Sequence, residues 1–131
     1  MIGIKRIDHI NMRVKDLAAS IAFYGRNFGF EIKEDGRDDP RQPWVIIGVP
    51  GIAYLCLYEH PDKELVEDAL SINHFGLALT DFDGALATLR ANGVKINYGG
   101  VVQHRGSRSI YIEDPSGHEI ELAEKVGGGL N

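Results

Sequence analysis

The chain repeats one order of apolar and polar positions in its two halves. A β-like run at residues 7–17 is matched by a second run at residues 72–82, and each run has an aspartate as its last residue but one. Helical spacing follows, with apolar side chains three or four positions apart at Leu17, Ile21, Tyr24 and Phe28, and again at Phe82, Ala85, Leu86 and Leu89. Both halves are therefore predicted to open with a strand and an amphipathic helix.

The residues at the expected helix ends agree with this prediction. Asp16 and Asp81 stand where a carboxylate can accept a hydrogen bond from a backbone amide of the first turn, so both are expected to be N-caps. Gly29 and Gly93 follow the last turn, where a left-handed residue commonly ends a helix. An extended segment is expected after each glycine, which gives both halves a strand-helix-strand opening.

Further strands are predicted from short apolar runs at residues 44–49, 52–58, 109–112 and 118–123, with a looser segment at 101–108. Pro50-Gly51 and residues 114–117 are turn sequences between them. The prediction is an α+β fold of two βαβββ modules within one domain, 1–131, with module one at about 4–59 and module two at about 70–124. Because each module needs cover for its apolar face, the two are expected to form a curved half-barrel sheet around a metal site.

Composition narrows the possible partners. The 131 residues suffice for one domain that needs neither disulfides nor a structural metal for stability. A net charge of -5 without clustered Lys or Arg argues against nucleic acid. No apolar stretch approaches the roughly 20 residues that span a bilayer, the start lacks a signal-peptide core, and the single Cys56 agrees with a reducing compartment. A cytoplasmic protein with no membrane partner is expected.

Candidate chemistry follows the repeat. His9 and His74 are 65 positions apart (74 minus 9), and so are the two helix-capping aspartates (81 minus 16). The same offset carries Glu121 of the last predicted strand onto Cys56 of the first half (121 minus 65). Equivalent positions of the two modules therefore supply two histidines and one carboxylate.

These three side chains match a metal-ligand set. Glu121 stands between Ile120 and Leu122, and a buried, ionised carboxylate is costly unless it is paired. With His9 and His74 it forms a two-histidine, one-carboxylate group that leaves open positions on Fe, Mn, Ni or Zn. One divalent metal of unspecified identity is predicted, and the histidines left as ordinary residues are His60, His104 and His118.

Four more side chains are candidates for contact with a small-molecule substrate. Arg105 and Arg108 are on a loop that could reach the cavity mouth and bind an anionic group through bidentate hydrogen bonds. A solvated loop is the alternative. Trp44 and Tyr58, on neighbouring strands, could stack on a planar substrate, or pack in a core or a dimer interface.

Several segments carry a family resemblance, namely residues 8–10, 19–24 with 28–30, 73–75, and 111–122. Together they resemble the vicinal-oxygen-chelate superfamily over residues 5–124. That superfamily includes glyoxalase I, fosfomycin-resistance thiol transferases, extradiol dioxygenases, methylmalonyl-CoA epimerase and bleomycin-binding proteins. Its members share a scaffold and a metal position but differ in chemistry.

The resemblance maps four metal positions onto His9, Cys56, His74 and Glu121. Glyoxalase I normally has a glutamate, both ligand and base, where this chain has Cys56, and a thiol there would need a depressed pKa to act. A three-ligand site is more similar to fosfomycin thiol transferases or extradiol dioxygenases. Ser109 and Tyr111 match substrate-contact positions of the former, although the acidic residue expected before Ser109 and the arginine expected after the last strand are missing.

The leading hypothesis is a metal-dependent enzyme in which the metal polarises adjacent oxygens of a small substrate. Tyr111 would be a proton donor or anion contact, and Cys56 a second catalytic candidate. A thiol transferase or an extradiol dioxygenase is favoured over a glyoxalase-like lyase. The alternative is a non-catalytic ligand-binding or drug-sequestering protein of the bleomycin-resistance type, a branch that generally lacks the metal triad. The resemblance also implies a homodimer.

Overall fold

The computed structural model describes residues 1, 3, 7, 9–60, 74–104 and 106–125. The chain divides into two compact units, Met1–Val66 and Glu67–Asn131. Within the described residues, each unit has one four-stranded mixed sheet and one α-helix, in the order strand, helix and three strands. This arrangement confirms the predicted α+β fold with two modules. Neither helix of the described residues is long and apolar enough to cross a membrane.

The first unit contains β1 (Ile10–Val14), α1 (Leu17–Phe28), β2 (Glu31–Gly36), β3 (Trp44–Val49) and β4 (Ala53–Glu59). Its sheet has the order β1-β4-β3-β2. The outer pair β1 and β4 is parallel, and the other pairs are antiparallel. Between β3 and β4 the Ile52 amide donates to the Val49 carbonyl at 3.0 Å, so the predicted hairpin is present.

The second unit contains β5 (His74–Ala78), α2 (Phe82–Ala91), β6 (Val102–Gln103), β7 (Arg108–Glu113) and β8 (Glu119–Ala123). Its sheet has the order β5-β8-β7-β6, again with a parallel outer pair, β5 and β8. The two units thus have the same strand order and the same strand directions.

The strand registers of the two units differ by the offset of 65 that the histidines predict. The corresponding pairs of opposite residues are Ile10–Leu55 with Phe75–Ile120, and Ile46–Cys56 with Tyr111–Glu121. Side chains at equivalent positions therefore project from equivalent faces, because alternate residues of a strand face the same side. Glu121 occupies the place in the second unit that Cys56 occupies in the first.

The helix ends form as predicted. The Asp16 carboxylate accepts a hydrogen bond from the Ala19 amide, and the Asp81 carboxylate accepts one from the Gly84 amide, each at 3.0 Å. Gly29 ends α1 in the left-handed conformation with a φ of 69°, and the glycine after α2 has a φ of 70°. Local side chains therefore satisfy backbone groups that a helix leaves unpaired at its ends.

Each unit buries the apolar face of its sheet beside its helix. In the first unit, α1 lies against β2, β3 and β4, and the buried side chains are Leu17, Phe23, Tyr24, Val45, Ile47, Leu55 and Leu57. In the second unit they are Phe82, Leu89, Ile110, Ile112, Ile120 and Leu122. Burial of one such side chain contributes about 1.5–3 kcal/mol. The opposite face of each sheet is left for polar and aromatic residues.

The prediction of an extended strand directly after Gly93 is wrong. That segment contributes only a single bridge, Ile96 to Ile112, and then turns at Tyr98, Gly99 and Gly100, which all have positive φ. Left-handed residues cannot continue a pleated strand. The fourth strand of the sheet is instead the short β6, within the segment that the sequence indicated only loosely.

Candidate functional site

A group of polar side chains lies on the face of the second sheet that is opposite the apolar core. Along β8, Ile120 and Leu122 are fully buried, so Glu119 and Glu121 project from the other face. On β7 the same alternation places Ser109 and Tyr111 beside Glu121, which is directly opposite Tyr111 in the strand register. His74, the first residue of β5, approaches from the parallel strand.

The carboxylate of Glu121 is the centre of this group. One oxygen, Oε2, lies 3.1 Å from His74 Nε2, and the other, Oε1, accepts a hydrogen bond of 2.7 Å from the Ser109 hydroxyl. Burial by itself raises the pKa of Glu121, but hydrogen bonds from Ser109, Tyr111 and His74 outweigh it and hold that pKa below its usual value. Glu121 is therefore an ionised carboxylate at neutral pH.

Tyr111 places a phenol next to that carboxylate. Its hydroxyl lies 2.9 Å from His104 Nε2, and its ring meets the His74 ring edge-on with the centroids 5.9 Å apart. Burial, and then the negative charge of Glu121, raise the pKa of Tyr111. Because the phenol keeps its proton at neutral pH, Tyr111 is suited to donate a proton rather than to accept one.

A second carboxylate, Glu119, borders the other side of the His74 ring. Glu119 Oε1 lies 3.9 Å from His74 Nδ1, and Glu119 Oε2 accepts a hydrogen bond of 2.6 Å from the Tyr98 hydroxyl. That hydrogen bond, followed by burial, raises the pKa of Tyr98. Tyr98 has a φ of 57°, and holding a non-glycine residue in this region costs about 1–3 kcal/mol.

Three members of this group were missed by sequence reasoning. Glu119 had a usable signal, since it is two residues before Glu121 on one strand and must share its face. His104 was assigned no role, yet the structure brings it to the Tyr111 hydroxyl. Tyr98 and His104 lie in segments without periodicity, so no local pattern could have placed them.

The donor atoms of His74 and Glu121 fit joint binding of one metal ion. Two ligands bound at right angles to a metal, at about 2.0–2.2 Å, lie roughly 3 Å apart, and the observed separation of Nε2 and Oε2 is 3.1 Å. Among the residues that the structure describes, no group of three or more His, Cys, Asp or Glu side chains is arranged to hold a metal. The second unit thus supplies a pair of suitable donors, and the predicted three-ligand set stays a prediction.

The first unit contains the remaining predicted metal and substrate residues. His9 is exposed and directly precedes β1. Cys56 is buried in β4, and its sulfur raises the pKa of the neighbouring Tyr58. Trp44 and Tyr58 stack with ring centroids 6.3 Å apart. They line an open pocket of about 430 Å³ whose other lining residues are Asp39, Arg41 and Gln42.

The two predicted arginines have different outcomes. Arg105 lies outside the described residues. Arg108 projects from the helix-facing side of β7, opposite to Ser109, because adjacent strand residues alternate. Its guanidinium binds Asp83 at 3.2 Å and Glu124 at 2.9 Å, and stands 4.3 Å above the Phe82 ring. Arg108 is thus engaged with α2 and with Glu124, the residue that follows β8, and its contact with substrate stays a prediction.

The fold and the polar face define a member of the vicinal-oxygen-chelate class. The sequence profile of the Glyoxalase/Bleomycin resistance protein/Dioxygenase superfamily matches residues 6–122, and the chain belongs to this family. This confirms the resemblance that the motifs carried.

Particular relatives include proteins of known and unknown activity. The metallothiol transferase FosB of Staphylococcus epidermidis is 31% identical over 121 residues, which cover 91% of this chain and 83% of FosB. The uncharacterized protein YaeR of Escherichia coli is 27% identical and covers 95% of this chain and 100% of YaeR. A crystal structure of a FosX variant, a fosfomycin resistance protein from Listeria monocytogenes, is similar with a TM-score of 0.75 and 24% identity, covering 98% of each chain. That variant was complexed with Mn(II) and a dihydroxypropylphosphonic acid.

Proposed function

We propose that this protein is a metal-dependent enzyme that binds adjacent oxygen atoms of a small substrate, and that it transfers a thiol to that substrate. The observation that carries the proposal is the pair formed by His74 and Glu121, held at 3.1 Å beside the phenol of Tyr111. His9 is proposed as the third ligand on the strength of the 65-residue repeat. A divalent metal held by these residues would act as a Lewis acid toward the substrate oxygens.

Each residue of the second unit has a distinct role in this proposal. Ser109 donates a hydrogen bond to Glu121 Oε1. This hydrogen bond orients the carboxylate so that Oε2 lies beside His74 Nε2, where both atoms can bind one metal ion. Tyr111 is protonated at neutral pH, as a phenol ordinarily is, and burial and the charge of Glu121 raise its pKa further. It can therefore deliver a proton to an oxygen that gains negative charge during the reaction.

Thiol transfer is the reaction class to test first because the curated FosB relatives, which carry the name metallothiol transferase, align with 91% of this chain. In such a reaction the thiol releases its proton to solvent and its sulfur bonds to a substrate carbon. The bond from that carbon to oxygen breaks, and Tyr111 gives its proton to the departing oxygen. The phenol then regains a proton from solvent, and His104, 2.9 Å away, is positioned to pass it on.

The first experiment measures metal content by elemental analysis of protein purified without chelator. About one transition metal per chain is expected for the wild type. The variants His9→Ala, His74→Ala and Glu121→Ala are expected to lose the metal. They should remain folded, as measured by circular dichroism. The matched control is His118→Ala, which removes a half-buried histidine that precedes β8 and should leave the metal in place.

The second experiment follows thiol consumption by the metal-loaded protein with fosfomycin as the probe substrate. The wild type should accelerate the reaction, and Tyr111→Phe should lose roughly 100-fold or more of the rate while binding metal normally. A different result would be that the protein binds metal, fails to transfer the thiol, and consumes oxygen when a catechol is the substrate. That result would favour a dioxygenase. A wild type that takes up no metal after reconstitution would contradict the enzyme proposal and favour a ligand-binding protein.

The proposal includes assembly as a homodimer, which the family resemblance implies. Light scattering coupled to size-exclusion chromatography should give twice the chain mass of 14.4 kDa. A monomer at all concentrations would contradict this part of the proposal without affecting the metal site.

A further inference from the structure

The His74 ring lies between two carboxylates that belong to the same strand. Its Nε2 atom faces Glu121 Oε2 at 3.1 Å, and its Nδ1 atom faces Glu119 Oε1 at 3.9 Å. The two glutamates project from one face of β8 because they are two positions apart. One ring nitrogen is thus directed to the proposed metal ligand, and the other to a carboxylate that has no role in the proposed function.

Glu119 is held in this position by Tyr98. The Tyr98 hydroxyl donates a hydrogen bond of 2.6 Å to Glu119 Oε2, which leaves Oε1 on the side of His74. The turn that carries Tyr98 is itself attached to β7, since the Asn97 amide donates to the Tyr111 carbonyl at 2.8 Å. The Glu119 carboxylate therefore lies between the Tyr98 hydroxyl and the His74 ring.

Tyr98 also has an unfavourable backbone conformation. It is the non-glycine residue with a positive φ among those that the structure describes, at 57°. A bulky side chain in this region is strained, and such strain persists where the surrounding structure holds the residue for a purpose. Here the side chain that the strained backbone presents is the one that binds Glu119.

We propose that Glu119 is a positioning residue that sets the orientation of the His74 ring. With a metal bound, Nε2 would give up the proton that it shares with Glu121 in this structure. Glu119, whose Oε1 lies 3.9 Å from Nδ1, would move into hydrogen-bond distance and accept the proton that stays on Nδ1. A carboxylate behind a metal-binding histidine fixes the ring and its tautomer and strengthens the ligand. Tyr98 supports Glu119 in this task. The inference rests on the proposed function, because it needs a metal at His74.

The test uses four variants of the full chain. Glu119→Ala removes the acceptor, and Glu119→Gln keeps an oxygen that can accept the Nδ1 proton. Tyr98→Phe removes only the hydroxyl that holds Glu119. The matched control is Glu113→Ala, which removes an exposed carboxylate directly opposite Glu119 in the strand register, where it contacts Asn97.

Two quantities are measured for each variant. The affinity for Mn²⁺ is determined by calorimetric titration of the metal-free protein, and Glu119→Ala is expected to weaken it by roughly 10- to 100-fold. Glu119→Gln should recover part of that loss, Tyr98→Phe should give an intermediate loss, and Glu113→Ala should bind like the wild type. In the Zn²⁺-loaded protein, ¹H–¹⁵N NMR should detect a protected His74 Nδ1 proton that disappears in Glu119→Ala.

The outcomes separate the two proposals. If the wild type binds metal and Glu119→Ala retains both the affinity and the Nδ1 proton signal, the positioning role is overturned while the metal site stands. If all three Glu119 and Tyr98 variants lose affinity equally and Glu119→Gln rescues nothing, Glu119 serves only to build the turn, which also overturns the inference. A wild type that binds no metal overturns the proposed function together with the inference.

Discussion

Replacement of Ser109 by alanine tests the electrostatics of the candidate site without any metal. The Ser109 side chain is fully buried, and its hydroxyl donates a hydrogen bond of 2.7 Å to Glu121. A hydrogen bond to an ionised group contributes about 1.5–3 kcal/mol to stability. Since the Glu121 side chain is 23% exposed, water can replace part of the lost donor. The free energy of unfolding should therefore fall by about 1.5–2 kcal/mol near pH 7, at the lower end of that range.

The loss should depend on pH in a defined direction. The pKa of Glu121 is lower in the folded protein than its usual value, and Ser109 is one cause. The resulting stability is present above the unfolded pKa of about 4.3 and is lost as the pH falls through the lower, folded pKa. The difference between wild type and Ser109→Ala should therefore be largest at neutral pH and should shrink as the pH falls through the lowered pKa of Glu121, where the carboxyl group takes up its proton.

Chemical denaturation of the metal-free protein across this pH range measures the effect. Ser107→Ala is the matched control, because Ser107, which directly precedes β7, is also buried but donates to the Arg108 carbonyl and accepts from the Lys125 amide. These partners are uncharged, so its loss of about 0.5–1.5 kcal/mol per hydrogen bond should not change with pH. A Ser109→Ala loss that is equally independent of pH would refute the assignment of an ionised Glu121 as its partner.

Three further substitutions test the framework of the two units. Gly36→Ala would place a Cβ 2.0 Å from the Trp44 indole. The free energy of unfolding should therefore fall by about 1–3 kcal/mol, and the tryptophan fluorescence spectrum should shift. An unchanged spectrum would contradict this packing. Arg108→Met should lower stability modestly through its lost ion pairs with Asp83 and Glu124, and the loss should shrink at about 1 M salt. A salt-independent loss would instead assign the effect to packing over Phe82. Asp81→Ala should cost about 1 kcal/mol in thermal unfolding, while Asp81→Ser keeps a capping oxygen and should restore most of it.

The two halves share a register but differ in chemistry at equivalent positions. In the first unit, the face opposite the core presents Trp44, Tyr58 and the buried Cys56. In the second unit, the positions 65 residues later are Ser109, Ala123 and Glu121. The first sheet thus offers an aromatic, weakly polar surface, and the second offers donors and acceptors. One backbone pattern therefore carries aromatic side chains in one unit and hydroxyl and carboxylate side chains in the other.

The elements and their repeat could be predicted from the sequence because they depend on residues close together in the chain. The apolar spacing in α1, the capping by Asp16 and the turn after β3 each involve a few consecutive residues, and the structure contains all of them. The offset of 65 also follows from sequence alone, and the strand registers reproduce it. For the second half of the chain, the prediction was weakest around Tyr98. There a turn of left-handed residues replaces the extended strand that was predicted after Gly93.

The partners of the site residues were decided by tertiary structure alone. Strand pairing brings His74 to Glu121 across 47 positions of the chain and Ser109 to Glu121 across 12. The pairing of β7 with β8 likewise brings Glu124, the residue after β8, to the Arg108 guanidinium at 2.9 Å. Sequence alternation can indicate which face a side chain takes, but it cannot name the residue that a neighbouring strand places opposite. That residue depends on which strands pair and in what register, and therefore on the free energy of the whole sheet.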